Sequence, residues 1–166
     1  MASYLKTYSP QSVRVAYGGF PLTGMADGQF LSITLNSDLT DEVVGSQGDI
    51  GITKIANYTA TVTLTLLQNA ESNIYLSAMY SAMQRADDIV RANMTIRDPS
   101  GSVIYDCRDT HIKRATDVVL GDGQNSREWT FFVSNIVPVN GDSESVQALG
   151  IASQVNAALD LVGLGA

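Results

Sequence analysis

The chain has 166 residues, 45% hydrophobic and 16% charged. Ample apolar content with low charge density excludes a globally disordered chain, and the length suits one domain whose core needs no covalent staples. Seventeen Asp and Glu against ten Lys and Arg give a net charge of −7, the wrong balance for a basic grip on nucleic acid.

Most of the chain reads as strands. Val13, Val15 and Tyr17 alternate with Arg14 and Ala16 and stop at Gly18-Gly19, a strand entering a turn. Phe20-Pro-Leu continues toward Thr23-Gly24. After the turn signal Asp27-Gly28, Phe30, Ile33 and Leu35 carry a second strand, with Ser32 and Thr34 between them. Residues 36–56 lack a strong pattern. Asp38, Asp41, Glu42 and Asp49 are interspersed there with Gly45, Gly48 and Gly51. This stretch suits a weak hairpin, Val43-Val44 against residues 50–55 with a turn over 46–49, or an extended arm. Long patternless segments in a small domain tend to be functional or to fold against a partner.

The clearest strand is 59–67. Ala60, Val62, Leu64 and Leu66 form one face, and Thr59, Thr61, Thr63 and Thr65 the other. The strict period of two predicts one face on a core and one on a polar surface. A helix is expected over about 70–86. Asn69 or Ser72 would cap it, and Leu76, Met79, Tyr80 and Met83 form one apolar stripe at i, i+3, i+4 and i+7. Residues 94–97 and 103–107 read as a hairpin around Asp98-Pro-Ser-Gly101, which suits a type I turn. Lys113 to Leu120 reads as a further strand, ended by Gly121-Asp122-Gly123. Trp129 to Val137 is the last, with Trp129, Phe131, Val133 and Asn135 on one side. A helix over 143–162, capped by Ser143, closes the chain.

No catalytic constellation emerges. One cysteine, Cys107, excludes an intrachain disulfide or a thiolate zinc cluster, and one histidine, His111, leaves little for His-based metal or triad chemistry. Cys107 stands at an expected strand end beside Asp106 and Asp109, which raise a thiol pKa, the wrong direction for a reactive thiolate. His111 reads as a solvated loop side chain. Asp87-Asp88 point about 100° apart on a helix and do not face each other. Gly121-Asp-Gly-Gln-Asn-Ser lacks both the acidic offsets of a calcium loop and the Lys of a phosphate loop. No catalytic residue, metal ligand or cofactor is expected. The N-terminus lacks a signal peptide's basic start and apolar run, and no window reaches the ~18–20 apolar residues of a membrane span. A soluble, non-enzymatic structural or binding protein is the expectation.

The order of several segments resembles the tail tube (inner tube) proteins of contractile-tailed bacteriophages, and the small phage structural protein family most closely. These are Tyr8-Ser-Pro, Gly18-Gly-Phe-Pro-Leu-Thr-Gly-Met-Ala-Asp-Gly28, Val44-Gly-Ser-Gln-Gly-Asp49, the run from Ala60 to Asn73, Ile96-Arg-Asp-Pro-Ser-Gly101 and the Trp129 strand. The resemblance covers roughly 8–137. It divides the chain into a 1–137 tail-tube β domain and a 138–166 helical extension. It implies a mainly β fold, an antiparallel barrel or sandwich with one packing helix, whose subunits join as hexameric rings. The rings stack into a hollow tube through which double-stranded DNA passes into the host. Partners implied are further copies of the chain and the sheath, baseplate and tail terminator proteins. The place implied is the virion tail, assembled in the host cytoplasm.

In such a tube Thr59, Thr61, Thr63 and Thr65 would face the lumen. The alternative is a solvent-facing Thr face on an ordinary sandwich. Asp38, Asp41, Glu42 and Asp49 would line the lumen or a ring interface, or simply be solvated, and Ile50, Ile52 and Ile55 need burial that a neighbouring subunit could supply. The rival assembly is the tube of a contractile secretion or bacteriocin particle. The rival of another class is a monomeric β-sandwich binding module.

Overall fold

The computed structural model describes residues 7–98, 103–138 and 163. After a single 3-10 turn at Pro10–Ser12 come strands β1 (Arg14–Tyr17), β2 (Phe20–Leu22), β3 (Leu31–Leu35), β4 (Thr40–Val44), β5 (Ile50–Lys54) and β6 (Ala60–Leu67). Helix α1 (Ser72–Arg85) follows, then β7 (Ala92–Asp98), β8 (Val103–Arg114) and β9 (Ser126–Pro138). Seven strands make one sheet in the order β2-β1-β7-β8-β9-β6-β3, every pairing antiparallel. The sheet curls into a half-barrel, as strand twist favours, and the expected mainly β architecture with one packing helix is what forms. β4 and β5 pair only with each other. The helix expected over 143–162 and residues 99–101 of the expected Asp98–Gly101 turn lie outside the described residues.

The core sits inside the curl. Ala60, Val62, Leu64 and Leu66 of β6 are all fully buried, while Thr61, Thr63 and Thr65 are half-buried on the opposite face. Trp129, Phe131 and Val133 of β9 and Tyr17 of β1 complete the inner layer. Each such side chain contributes roughly 1.5–3 kcal/mol on burial. α1 closes over this layer through the predicted stripe: Leu76 is fully buried, and Met79, Tyr80 and Met83 pack against the cluster.

Three expectations are corrected. Neither Asn69 nor Ser72 caps α1. Glu71 holds the cap position without a side-chain bond, Ser72 Oγ accepts the Thr23 N–H (2.7 Å), and Asn69 Oδ1 accepts a bond from Gln124 (2.6 Å). Both side chains satisfy donors from neighbouring loops instead of the helix.

The strand expected over 113–120 does not form. β8 runs unbroken from Val103 and ends at Arg114, so Cys107 and His111 are mid-strand residues. Beyond the register slip at Ile112/Arg114, the Thr116 hydroxyl takes the Glu128 N–H (3.0 Å) that a ladder carbonyl would have taken. Asp117 pairs with Arg114 (3.0 Å), and the chain leaves the sheet as a loop.

Asn135 is exposed, and Ile136 is buried in its place. Asp109 adopts a positive φ of 50°, and its carbonyl accepts the Ser134 hydroxyl (3.0 Å). This irregularity turns Arg108–Asp109 and Ser134–Asn135 outward together. Cys107 and Thr110, three residues apart, are both buried.

Candidate functional site

The hydroxyl face of β6 continues across its neighbours. Cross-strand register places Thr34, Thr61, Phe132 and His111 in one row, and Ser32, Thr63 and Thr130 in the next. Thr65 stands opposite Glu128. Cross-strand partners share a face, so the structure brings Thr61, Thr63 and Thr65 together and adds Ser32, Thr34 and Thr130. Thr59 precedes β6. Its hydroxyl donates to Asn57 Oδ1 (2.7 Å) and accepts from Asn36 Nδ2 (3.2 Å), while Thr61 donates to Asn36 Oδ1 (2.9 Å). Asn36 and Asn57, which the sequence pattern did not single out, thus tie the arm's root to the threonine face.

At the Thr65 end of this face Arg114, opposite Thr130, stands with Asp117 and Glu128, and Arg114 and Asp117 are directly paired. His111 lies against Phe132, ring centroids 5.3 Å apart. Burial, then the charge of Arg91, lowers its pKa and holds the imidazole neutral. Cys107 points into the core, and burial with Asp106 pushes its thiol up to about 11. Among the described residues no three His, Cys, Asp or Glu come together in a way that could hold a metal ion, and no helix is long and apolar enough to cross a membrane.

Residues 36–56 form a hairpin arm. Leu35 pairs with Ala60, the Asn36 N–H bonds to Thr59 O (3.1 Å), and everything between leaves the sheet at that point. The ladder Thr40↔Lys54, Glu42↔Ile52, Val44↔Ile50 puts these six on one face, and Asp41, Val43, Gly51 and Thr53 occupy the other. At the tip the Gly45 N–H donates to Asp49 O (2.7 Å), and Gly48 takes a positive φ of 90° that suits glycine. Ile50 and Ile52 therefore act together, both about two-thirds exposed, while half-buried Ile55 lies at the arm's root, its N–H bonded to Leu39 O (2.8 Å). The carboxylates are dispersed: Asp38 at the root, Asp41 and Glu42 on opposite faces, Asp49 at the tip. A two-stranded ribbon with neither face covered is marginal in water, and exposed apolar surface of this kind marks an interaction site.

The loop between β8 and β9 presents a second such patch. Val118, Val119 and Leu120 are 60%, 66% and 76% exposed. The loop is held in place: Asn125 Nδ2 donates to Val119 O (2.9 Å), and the Gln68 N–H donates to Asn125 O (3.0 Å). The sequence signal was present, three consecutive apolar residues without alternation, but it reads equally as a strand.

A similar sequence occurs in a phage structural protein and a similar fold in contractile injection system proteins. A structural protein, ORF10 of Pseudomonas phage KPP10, is 25% identical over 155 residues, covering 88% of each chain. Among solved structures, the tube-terminating cap of the anti-feeding prophage superposes with a TM-score of 0.58 at 9% identity, covering 85% of this chain and 96% of that one. A chain of the sheath/tube terminator of an extracellular contractile injection system, PVC, gives 0.59 at 12% identity, over 83% and 99%. A chain of the same system's sheath–tube complex gives 0.57 at 10%, over 81% and 93%. At these identities the structural likeness is one of fold. The family model of the bacteriophage PhiTE tail tube protein matches residues 1–141, most of the chain, and the protein belongs to that tail tube family.

Proposed function

We propose that copies of this chain close into hexameric rings, and that the rings stack into a hollow tail tube through which double-stranded DNA passes into the host. The tube would sit inside a sheath, between a baseplate and a tail terminator, as part of the virion. A closed ring needs one heterologous contact that returns on itself, and a stack needs a second that does not. The observation that carries the reading is the hydroxyl face spanning β3, β6 and β9, with Thr61, Thr63 and Thr65 at its centre and Arg114, opposite Thr130, paired to Asp117. We assign that face, with Thr59 at its rim, to the lumen.

The physical reason is that a polyanion must slide without being held. Each Lys or Arg on the bore recurs in every subunit of every ring. Only 6–10 phosphate contacts already change affinity by ~10³–10⁵ between low and moderate salt. A neutral or acidic wall removes that hold, and its repulsion decays over about 8 Å at physiological salt. The family and the curated relative both come from phages, which favours a genome over a protein cargo.

The test has two parts. Negative-stain images of the concentrated protein should show annuli and tubes, and solitary molecules at every concentration would end the reading. Tubes carrying Thr63→Arg should then retain linear duplex DNA at low salt and release it at high salt, while unaltered tubes retain none. Equal DNA retention by both would remove Thr63 from the lumen.

A further inference from the structure

Cross-strand register sets two arginines side by side. Arg14 of β1 stands opposite Arg97 of β7, and like charges placed so destabilise a strand pair. Both are exposed, next to Val15 and Ile96, which point into the core. Arg14 donates to two backbone oxygens, those of Gln11 (2.6 Å) and Val13 (3.3 Å). Among the described residues neither guanidinium pairs with a carboxylate. The two line a groove of about 850 Å³ whose apolar wall includes Leu22, Met25 and Phe30. Asp27 is the one carboxylate among the described lining residues, and it accepts the Gly28 N–H (2.9 Å).

The sheet brings the end of β9 to the same place. Pro138, Tyr105, Ile96 and Val15 form one row across β9, β8, β7 and β1. The next row holds Ile104, Arg97 and Arg14, at the point where the chain leaves β9. Strand spacing puts Arg97 about 10 Å and Arg14 about 14 Å from Pro138. An extended chain covers about 13 Å in the four residues to Asp142 and about 20 Å in the six to Glu144. Both arginines are within reach of both acids.

From this placement we infer that the segment beyond Pro138 seats on this groove within its own molecule. Asp142 and Glu144 pair with Arg97 and Arg14, and the apolar residues that follow, starting at Val146 and Leu149, lie against Leu22, Met25 and Phe30. Charge selects the occupant. Residues 139–166 carry Asp142, Glu144 and Asp160 and no Lys, Arg or His. Residues 1–6 carry Lys6 and no carboxylate, and residues 99–102 carry no charge, so neither segment can neutralise the pair. Two acids two residues apart turn two mutually repelling guanidiniums into two charge-assisted pairs. The family match ends at residue 141, so the contact belongs to this chain rather than to the family pattern. It does not rest on the tube reading.

The test cross-links the full-length chain by oxidation, Cys107 being buried. Thr95→Cys sets a thiol in the groove, and Ser143→Cys sets one between the two acids. Asn57→Cys with Ser143→Cys is the comparison. Thr95 lies two strands from β9, in the row of Asp106 and Val137, whereas Tyr58 O accepts the Ile136 N–H directly. Asn57 is therefore the nearer target for a segment with no preferred seat. The bridge from 143 to 95 should form within single molecules, and at least about fivefold faster than the bridge to 57. Asp142→Lys/Glu144→Lys should slow it by about fivefold or more, since two ion pairs become two repulsions, and adding Arg14→Glu/Arg97→Glu should restore it. Arg97→Cys, at an exposed position, should give the same ranking as Thr95→Cys. No bridge at 95, equal rates at 95 and 57, or no loss on charge reversal would overturn the inference. A bridge that forms only between molecules would also overturn it, by giving the groove to a second copy.

Discussion

The indole N–H of Trp129 donates to Asn73 Oδ1 at 2.9 Å, with both side chains buried, and Asn73 Nδ2 donates in turn to Leu67 O at 2.7 Å. One amide thus joins the first turn of α1 to the neighbouring strands β6 and β9. Removing it strands a buried indole donor and a buried carbonyl. Asn73→Ala should cost about 1–3 kcal/mol, read from urea midpoints. Asn73→Ala combined with Trp129→Phe should cost less than the two changes summed, because the second removes the donor that the first leaves unsatisfied. Strict additivity would show that the bond contributes nothing.

The two faces of β6 should respond oppositely. Leu64→Ala opens a cavity in the fully buried layer and should cost about 2–5 kcal/mol. Thr63→Ala, one residue away on the hydroxyl face, should cost below about 1 kcal/mol. Equal losses would mean that the sheet's second face is also packed within the subunit.

Gly24 has a φ of +81°, and a Cβ built on it would collide with the Ala70 side chain. Its carbonyl accepts the Leu67 N–H at 2.8 Å, so the segment cannot move away freely. Gly24→Ala should lower the thermal midpoint by several degrees, consistent with strain above 1 kcal/mol. Gly28, at a φ of +79° with nothing within reach of a Cβ, should suffer only the backbone penalty and fall by less.

His111 gives a pH signature. Burial and Arg91 lower its folded pKa below the ordinary value near 6.5. The unfolded chain therefore binds the proton first as pH falls. This contribution to stability is present above about pH 6.5 and is lost as pH drops through the folded pKa. Urea midpoints from pH 8 to pH 5 should fall more steeply for the unaltered protein than for His111→Gln. Parallel curves would show that the imidazole titrates freely.

The Cys107 thiol, pushed to about 11, leaves a thiolate fraction on the order of one in a thousand at pH 8. A thiol reagent should modify the folded protein far more slowly than the urea-unfolded one. Similar rates would mean that β8 opens readily at its centre.

β6 was readable from residues alone because its period of two is strict over eight positions and both faces are chemically distinct. The α1 stripe was readable for the same reason, apolar side chains recurring on one side of a 3.6-residue turn. Local pattern likewise allowed a hairpin for the 36–56 segment, although it could not choose between that and an extended arm.

Other features depended on residues far apart in the chain. Val118–Leu120 has strand composition, yet Thr116 bonds to Glu128 and Asp117 to Arg114, and those side-chain contacts draw the segment out of the sheet. Asn135 faces solvent because Asp109, next to its cross-strand partner Arg108, takes a left-handed turn and holds Ser134. Asn73 looked like one more residue near a helix start until Trp129 was placed beside it. Alternation and helical period arise from bonding between near neighbours and are written along the chain. Which loop loses its ladder, and which amide meets which ring, follows from register between distant strands, and that exists only once the sheet has curled around its core.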